Sequence, residues 1–128
     1  SCEDKGYFGR AVNVQEISAV TAACMLMKVE DFEAVGGFDE EFVVAFNDID
    51  FCMKLRKAGY LIVYNPYAEL YHYESKSRGL EDTPEKVARF NKEIATFEKK
   101  WPEILKNGDP YYNPNLTLKS QDFSLKRI

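Results

Sequence analysis

The sequence lacks most of the residue patterns that announce a common chemistry. It holds one histidine, one tryptophan and three cysteines in 128 residues. Cys2, Cys24 and Cys52 are odd in number and far apart. They spell neither a paired-cysteine zinc site nor a disulfide framework, and point to reduced thiols in a cytoplasmic setting. Cys24 and Cys52 sit in apolar runs and are expected in the core. There is no glycine-rich phosphate loop, and no Ser, His and Asp set whose spacing would support a hydrolytic triad. No apolar run reaches the about 20 residues that cross a bilayer, and residues 1–13 are not expected to be a secretory leader. The first residue is Ser1 and not Met, which is expected of a piece of something longer. Charge is mixed along the chain, 17 basic against 21 acidic residues for a net of -4, without a basic tract. That balance argues against a nucleic-acid partner.

What the chain does have is apolar and aromatic content, 45% and 14%, enough for one folded domain. Its best-marked element is the stretch from Ala45 to Tyr60. Asn47 or Asp48 is the expected N-cap, Asp48 and Asp50 crowd the first turn, and Lys54, Arg56 and Lys57 fill the last. Gly59 stands where a left-handed residue ends a helix. Phe51, Leu55 and Ala58 form an apolar stripe at helical spacing. Asp48 has two readings: a helix cap, or a carboxylate held ionised at a helix start and facing a ligand.

Around this helix the chain divides into a lead-in loop over 1–13, a folded core over 14–105 and an irregular tail over 106–128. Residues 17–27 are apolar on both faces, as in a buried strand. Small Ala22, Ala23 and Cys24 suit tight packing under a helix more than ligand contact. Residues 30–35 make a short helix that Gly36 and Gly37 end. Strands are expected over 60–64 and 67–73, with a turn at Asn65-Pro66. The polar run over 74–81 is expected to be a mobile loop. Thr83-Pro84-Glu85 opens a final helix, in which Val87, Phe90, Ile94, Phe97 and Trp101 share one face until Pro102. His72, alone at a strand end, is by composition more often structural than a ligand.

The segments Val20-Thr21-Ala22-Ala23-Cys24-Met25-Leu26-Met27, Phe32-Glu33-Ala34-Val35-Gly36-Gly37-Phe38-Asp39-Glu40, Asn47-Asp48-Ile49-Asp50-Phe51-Cys52, Arg56-Lys57-Ala58-Gly59-Tyr60 and Tyr71-His72-Tyr73-Glu74-Ser75-Lys76-Ser77-Arg78-Gly79 carry a resemblance. In order and spacing they resemble the C-terminal half of a family 2 glycosyltransferase, over residues 12–115. The resemblance implies an α/β chain, a partial GT-A fold with a few-stranded mixed sheet, a central helix and a C-terminal amphipathic helix. It implies an inverting transfer of sugar from a nucleotide-sugar donor to a glycan or lipid-linked acceptor, in polysaccharide or cell-surface glycan synthesis on the cytoplasmic side. Membrane association would belong to the full-length protein.

By the same resemblance Asp48 would be the catalytic base. His72 would help bind a divalent metal, Mg or Mn, or the diphosphate. Arg78, with Ser75 and Ser77, would lie on the phosphate side of the substrate, and Asp39 and Asp50 would contact the acceptor or support a loop. The family's metal-binding Asp-x-Asp lies before the matched region. Asp48-Ile49-Asp50 has those letters but opens a helix and aligns with the base. The resemblance therefore implies a half-domain that does not turn over alone and holds no metal by itself, and whose exposed sheet edge favours a homo-oligomer. Two other readings stand beside it. One is a non-catalytic carbohydrate-binding module using Tyr64, Tyr67, Tyr71, Tyr73, Tyr111 and Tyr112 as stacking platforms; the other is an oligomerisation module.

Overall fold

The computed structural model describes residues 5–72, 83–120 and 123–126. In chain order these form an irregular 3-10 stretch (Tyr7–Val12), strand β1 (Gln15–Glu16), a 3-10 turn (Ala22–Cys24) and helices α1 (Val29–Ala34) and α2 (Asn47–Lys57). Strand β2 (Val63–Tyr64) and helices α3 (Pro84–Lys100) and α4 (Pro102–Asn107) follow. The protein is a small mixed α/β chain. Its one sheet among the described residues pairs β1 and β2 antiparallel, Gln15 with Tyr64 and Glu16 with Val63. No helix among the described residues is long and apolar enough to cross a membrane.

The helix ends follow their residues. Gly36 and Gly37 terminate α1 at positive φ, and a Cβ on Gly37 would stand 2.9 Å from the Phe32 ring. At the end of α2, Gly59 takes φ 91, so that its N–H donates to Arg56 and that of Tyr60 to Leu55. These are the paired bonds of a Schellman cap, open to glycine because it has no Cβ to clash. Thr83 caps α3 as expected, its hydroxyl accepting from the Lys86 N–H.

The strands are much shorter than the sequence suggests. A strand needs a neighbour for its N–H and C=O groups. β1 has one in β2, extended by the Ile17 N–H donating to the Ile62 carbonyl at 3.0 Å. The strand expected over 17–27 is replaced beyond that bond by irregular backbone and the 3-10 turn. The described part of the strand expected over 67–73 is non-regular and exposed from Tyr67 to His72. Tyr73 and the loop expected over 74–81 lie outside the described residues.

The core surrounds α2. Phe51, Cys52, Met53 and Leu55 are buried together with Phe42, Ile62, Phe97 and Trp101. Four consecutive buried positions, Asp50 to Met53, mean that α2 is enclosed along its first turns and not merely amphipathic. Ala58, expected on its apolar stripe, is exposed. On α3 the expected face is buried only at its C-terminal end: Phe97 and Trp101 are covered, while Val87 and Phe90 are exposed. Cys24, expected in the core, is exposed as well, and so are Ala22 and Ala23, which do not pack under a helix. The tail has local order, with Leu116 buried and bridged to Leu125.

α2 and α3 are joined through a carboxylate. Asp50 is 0% exposed. Its Oδ1 accepts from the Trp101 indole N–H at 2.8 Å, and its two oxygens lie 2.9 and 3.0 Å from the Lys100 ammonium. Lys100 also pairs with Asp39, whose other oxygen accepts from the Glu41 N–H at 3.0 Å. The hydrogen bond from Lys100, and then that from Glu41, hold the Asp39 carboxyl below its ordinary value of 3.8. Burial pulls the Lys100 pKa down, but the hydrogen bonds to Asp39 and Asp50 outweigh it and leave it raised above 10.5.

Asp50→Ala should destabilise the fold by about 2–4 kcal/mol, because it strands a buried indole N–H and an ammonium. Asp50→Asn keeps an acceptor for Trp101 and should lose only about 1–2 kcal/mol in urea denaturation. The pH dependence follows from linkage. With its folded pKa lowered, Asp39 stabilises the fold above pH 3.8 and loses that contribution as pH falls through the lower folded value. Lys100 contributes below pH 10.5 and loses its contribution as pH rises through its raised value. Asp39→Asn should therefore flatten the acid limb of a stability-versus-pH curve; an unchanged acid limb would count against the ion pair.

Candidate functional site

The start of α2 is built differently from a side-chain-capped helix. The expected caps, Asn47 and Asp48, lie inside the first turn, and the cap position falls to Phe46 at φ 63 and ψ -3 with no side-chain cap bond. A left-handed phenylalanine is unfavourable by roughly 1–2 kcal/mol. Two contacts offset this: the Phe46 ring stacks on Phe90 at 5.7 Å and on Phe97 at 5.2 Å between centroids. The Phe46 carbonyl accepts from the Asp50 N–H at 2.7 Å, which starts the helix.

The Asp48 carboxylate bridges the first turn of α2 and the 3-10 turn. Oδ1 accepts from the Ile49 N–H at 2.9 Å, and Oδ2 accepts from the Ala22 N–H of the 3-10 turn at 3.3 Å. Asn47 Oδ1 accepts from the Asp48 N–H at 2.8 Å. The carboxylate is thus oriented by two elements, α2 and the turn, while the residue stays half-exposed. The small residues of the turn have a role that packing under a helix does not supply: they let backbone approach a carboxylate at the surface. An oriented, accessible carboxylate can accept a proton from a hydroxyl placed against it.

The other residues singled out in the sequence fall in different places. Asp50 faces inward to Trp101 and Lys100, and Asp39 joins it through Lys100, so these two form a constellation between α2 and α3. His72 is exposed at the end of a described segment. Ser75, Ser77 and Arg78 lie outside the described residues. Among the described residues no group of three or more His, Cys, Asp or Glu side chains could hold a metal ion. Of the tyrosines, Tyr67 and Tyr71 are strongly exposed. Tyr64, Tyr111 and Tyr112 are partly buried and donate to Ala11, Glu16 and Thr117.

One residue escaped the sequence reading. Glu93, mid-way along α3, is 2% exposed. Its Oε1 accepts from the N–H groups of Val43 at 3.1 Å and Val44 at 3.2 Å, and its Oε2 accepts from that of Ala45 at 2.8 Å. The signal was in its register: Glu93 stands three residues after Phe90 and four before Phe97, on the face those two define. A hollow of about 680 Å³ lies at the other end of α2, lined by Met53, Arg56, Lys57, Trp101 and Ile104 among others. Asp48 does not line it.

Several curated proteins are similar to this chain. It is 55% identical over 124 residues to an uncharacterised protein of Sinorhizobium fredii, an alignment that covers 96% of this chain and 14% of that protein. It is 37% identical over 120 residues to the O-antigen biosynthesis protein RfbC of Myxococcus xanthus, covering 94% of this chain and 9% of that one. Over 60 residues it is 40% identical to an N-acetylglucosaminyl-diphospho-decaprenol L-rhamnosyltransferase of Mycobacterium tuberculosis, 47% of this chain and 20% of that enzyme. The chain thus spans 9% to 20% of the length of these relatives. No protein-family model matches it, and no solved structure matches it.

The two described thiols should report on this geometry. Cys52 is buried, its Sγ–H donates to the Val20 carbonyl at 3.8 Å, and burial pushes its pKa up. Cys24 lies open in the turn beside Asp48. Alkylation followed by peptide mass spectrometry should modify Cys24 in the native protein at the rate of a free thiol. Cys52 should react only at the rate of unfolding. Equal rates at the two sites would contradict this placement.

Proposed function

We propose that this chain is the acceptor-side part of a nucleotide-sugar-dependent glycosyltransferase, an inverting enzyme of family 2 with a GT-A fold, and that Asp48 is its catalytic base. The observation that carries the reading is the Asp48 carboxylate, accessible and aimed by the Ile49 and Ala22 N–H groups at the start of a rigidly buried helix. The names of the relatives support it: one acts in O-antigen biosynthesis and one is a rhamnosyltransferase. In this reading the substrate is a nucleotide-activated sugar, with L-rhamnose the first to test, and the acceptor is a lipid-linked or polymer-linked glycan.

Asp48 takes the proton of the acceptor hydroxyl as its oxygen attacks the anomeric carbon. The nucleoside diphosphate leaves from the opposite face, and the configuration inverts. One carboxylate is enough for the acceptor side. The departing diphosphate is met by groups that the described residues do not supply; Arg78, Ser75 and Ser77 are proposed for that side. A divalent cation, Mg or Mn, belongs to the proposed full-length enzyme. His72 is the residue of the described part that we propose as a donor to it. Completion of the two-stranded sheet by other parts of the protein, or by a second copy, accords with the exposed Val63 on β2.

The exposed rings of Tyr67 and Tyr71 favour a second reading, a carbohydrate-binding module. Glycan binding by this chain without nucleotide, undiminished in Asp48→Asn, would support it.

In the full-length enzyme Asp48→Asn should cut sugar transfer by at least about a hundredfold. Asn keeps a carbonyl oxygen for one of the two N–H groups, and the cap at Phe46 is untouched, so stability should change by less than about 1 kcal/mol. Donor affinity, measured by calorimetry, should change far less than turnover. Near wild-type transfer by this variant would remove Asp48 as the base.

A further inference from the structure

Glu93 is the buried acid that the proposed mechanism does not use. It occupies the buried face of α3, where an apolar residue would otherwise serve. Its carboxylate takes three successive backbone N–H groups, those of Val43, Val44 and Ala45. These donors belong to a stretch without regular structure, just before the left-handed Phe46. The next residue along, Phe46, is gripped by the rings at 90 and 97, on either side of Glu93 along the same helix. Three α3 side chains thus fix four consecutive residues, and Asp48 follows two residues later. Asp48 itself makes no contact with Glu93 among its hydrogen bonds; the two are linked only through this stretch.

We propose that Glu93 is a positioning residue for transfer: it clamps the stretch 43–46 and so sets the place from which Asp48 meets the acceptor hydroxyl. The inference rests on the reading of Asp48 as the base. Three N–H groups of irregular backbone need acceptors, and the carboxylate fork meets them in one arrangement. Gln in its place keeps a single acceptor oxygen and turns an NH2 group toward backbone donors, so at least one bond is replaced by a donor facing a donor. A displaced base lowers the rate of the chemical step but leaves the donor site, elsewhere on the enzyme, as it was.

The test uses the full-length enzyme with nucleotide-sugar and acceptor, and compares wild type, Asp48→Asn, Glu93→Gln and Leu116→Ala. Leu116 is buried but makes no contact with the 43–46 stretch among the described bonds, so its variant controls for lost stability alone. Glu93→Gln should lower kcat by about tenfold or more, since misplacing a reacting group by about 1 Å can cost a hundredfold. Its donor KM should stay within about threefold, while Leu116→Ala keeps kcat per folded enzyme. Amide exchange should speed up at Val43, Val44 and Ala45 in Glu93→Gln and stay slow at Phe51 to Leu55. Wild-type kcat in Glu93→Gln, beside an inactive Asp48→Asn, overturns the clamp and leaves the base standing. An active Asp48→Asn overturns the base, and the clamp with it. Should Glu93→Gln fail to melt cooperatively, Phe90→Ala decides. That position is 41% exposed, and its ring is half of the grip on Phe46. A kcat loss of about threefold or more with unchanged donor KM supports the clamp, and an unchanged kcat overturns it.

Discussion

A carboxylate taken out of water must be surrounded by donors, or the fold will not form around it. Among the described residues two are buried, Asp50 on α2 and Glu93 on α3, and the packing of these helices follows from how each is satisfied. Asp50 finds an indole N–H and an ammonium at the C-terminal end of α3. Glu93 finds three backbone N–H groups at the entrance to α2. Each helix thus sends an acid into the other's territory. Apolar contacts among Phe51, Leu55, Phe97 and Trp101 would hold the two helices together in many orientations, because they are non-directional. The carboxylates, whose partners must lie at hydrogen-bond distance and angle, select one orientation.

That selection reaches the candidate site. The beginning of α2 has no side-chain cap, although Asn47 and Asp48 each accept from the next N–H along. It is stabilised from α3, through the grip on residues 43–46. Asp48, just after this stretch, stays half-exposed. Asp48 gives one oxygen to the Ile49 N–H of its own helix and the other to the Ala22 N–H of the turn. The stretch that leads into α2 is held by Glu93, a residue 45 positions downstream of Asp48.

Local signals were legible where the physics is local. The Schellman end of α2 at Gly59, the Thr83-Pro84 start of α3 and the double-glycine end of α1 depend on a few neighbouring residues, and each stands where its residues indicate. The strands were over-read. Apolar β-capable runs such as 17–27 state only that a strand would be compatible; whether one forms depends on a partner backbone, and here only two residues on each side pair as strands. Cys24 was misplaced for a related reason. Its apolar neighbours suggested a core, but the turn at Ala22–Cys24 sends it outward.

Helices α1, α2 and α3, the glycine ends of α1 and α2, the Thr83 start of α3 and the acidic residues at the head of α2 are legible in the sequence, because capping, periodicity and charge order are short-range. The tertiary structure decided which of three neighbouring acids does what. Asp39, Asp48 and Asp50 differ little as letters. Asp50 is enclosed by Trp101 and Lys100, Asp39 is tied to the same lysine, and Asp48 remains at the surface. The tertiary structure also turned Glu93 inward, on a helix whose sequence reads as a plain amphipathic one. The hydrogen-bond partners of Asp39, Asp50 and Glu93 across the two helices lie 48 to 61 positions away, and no local pattern names them.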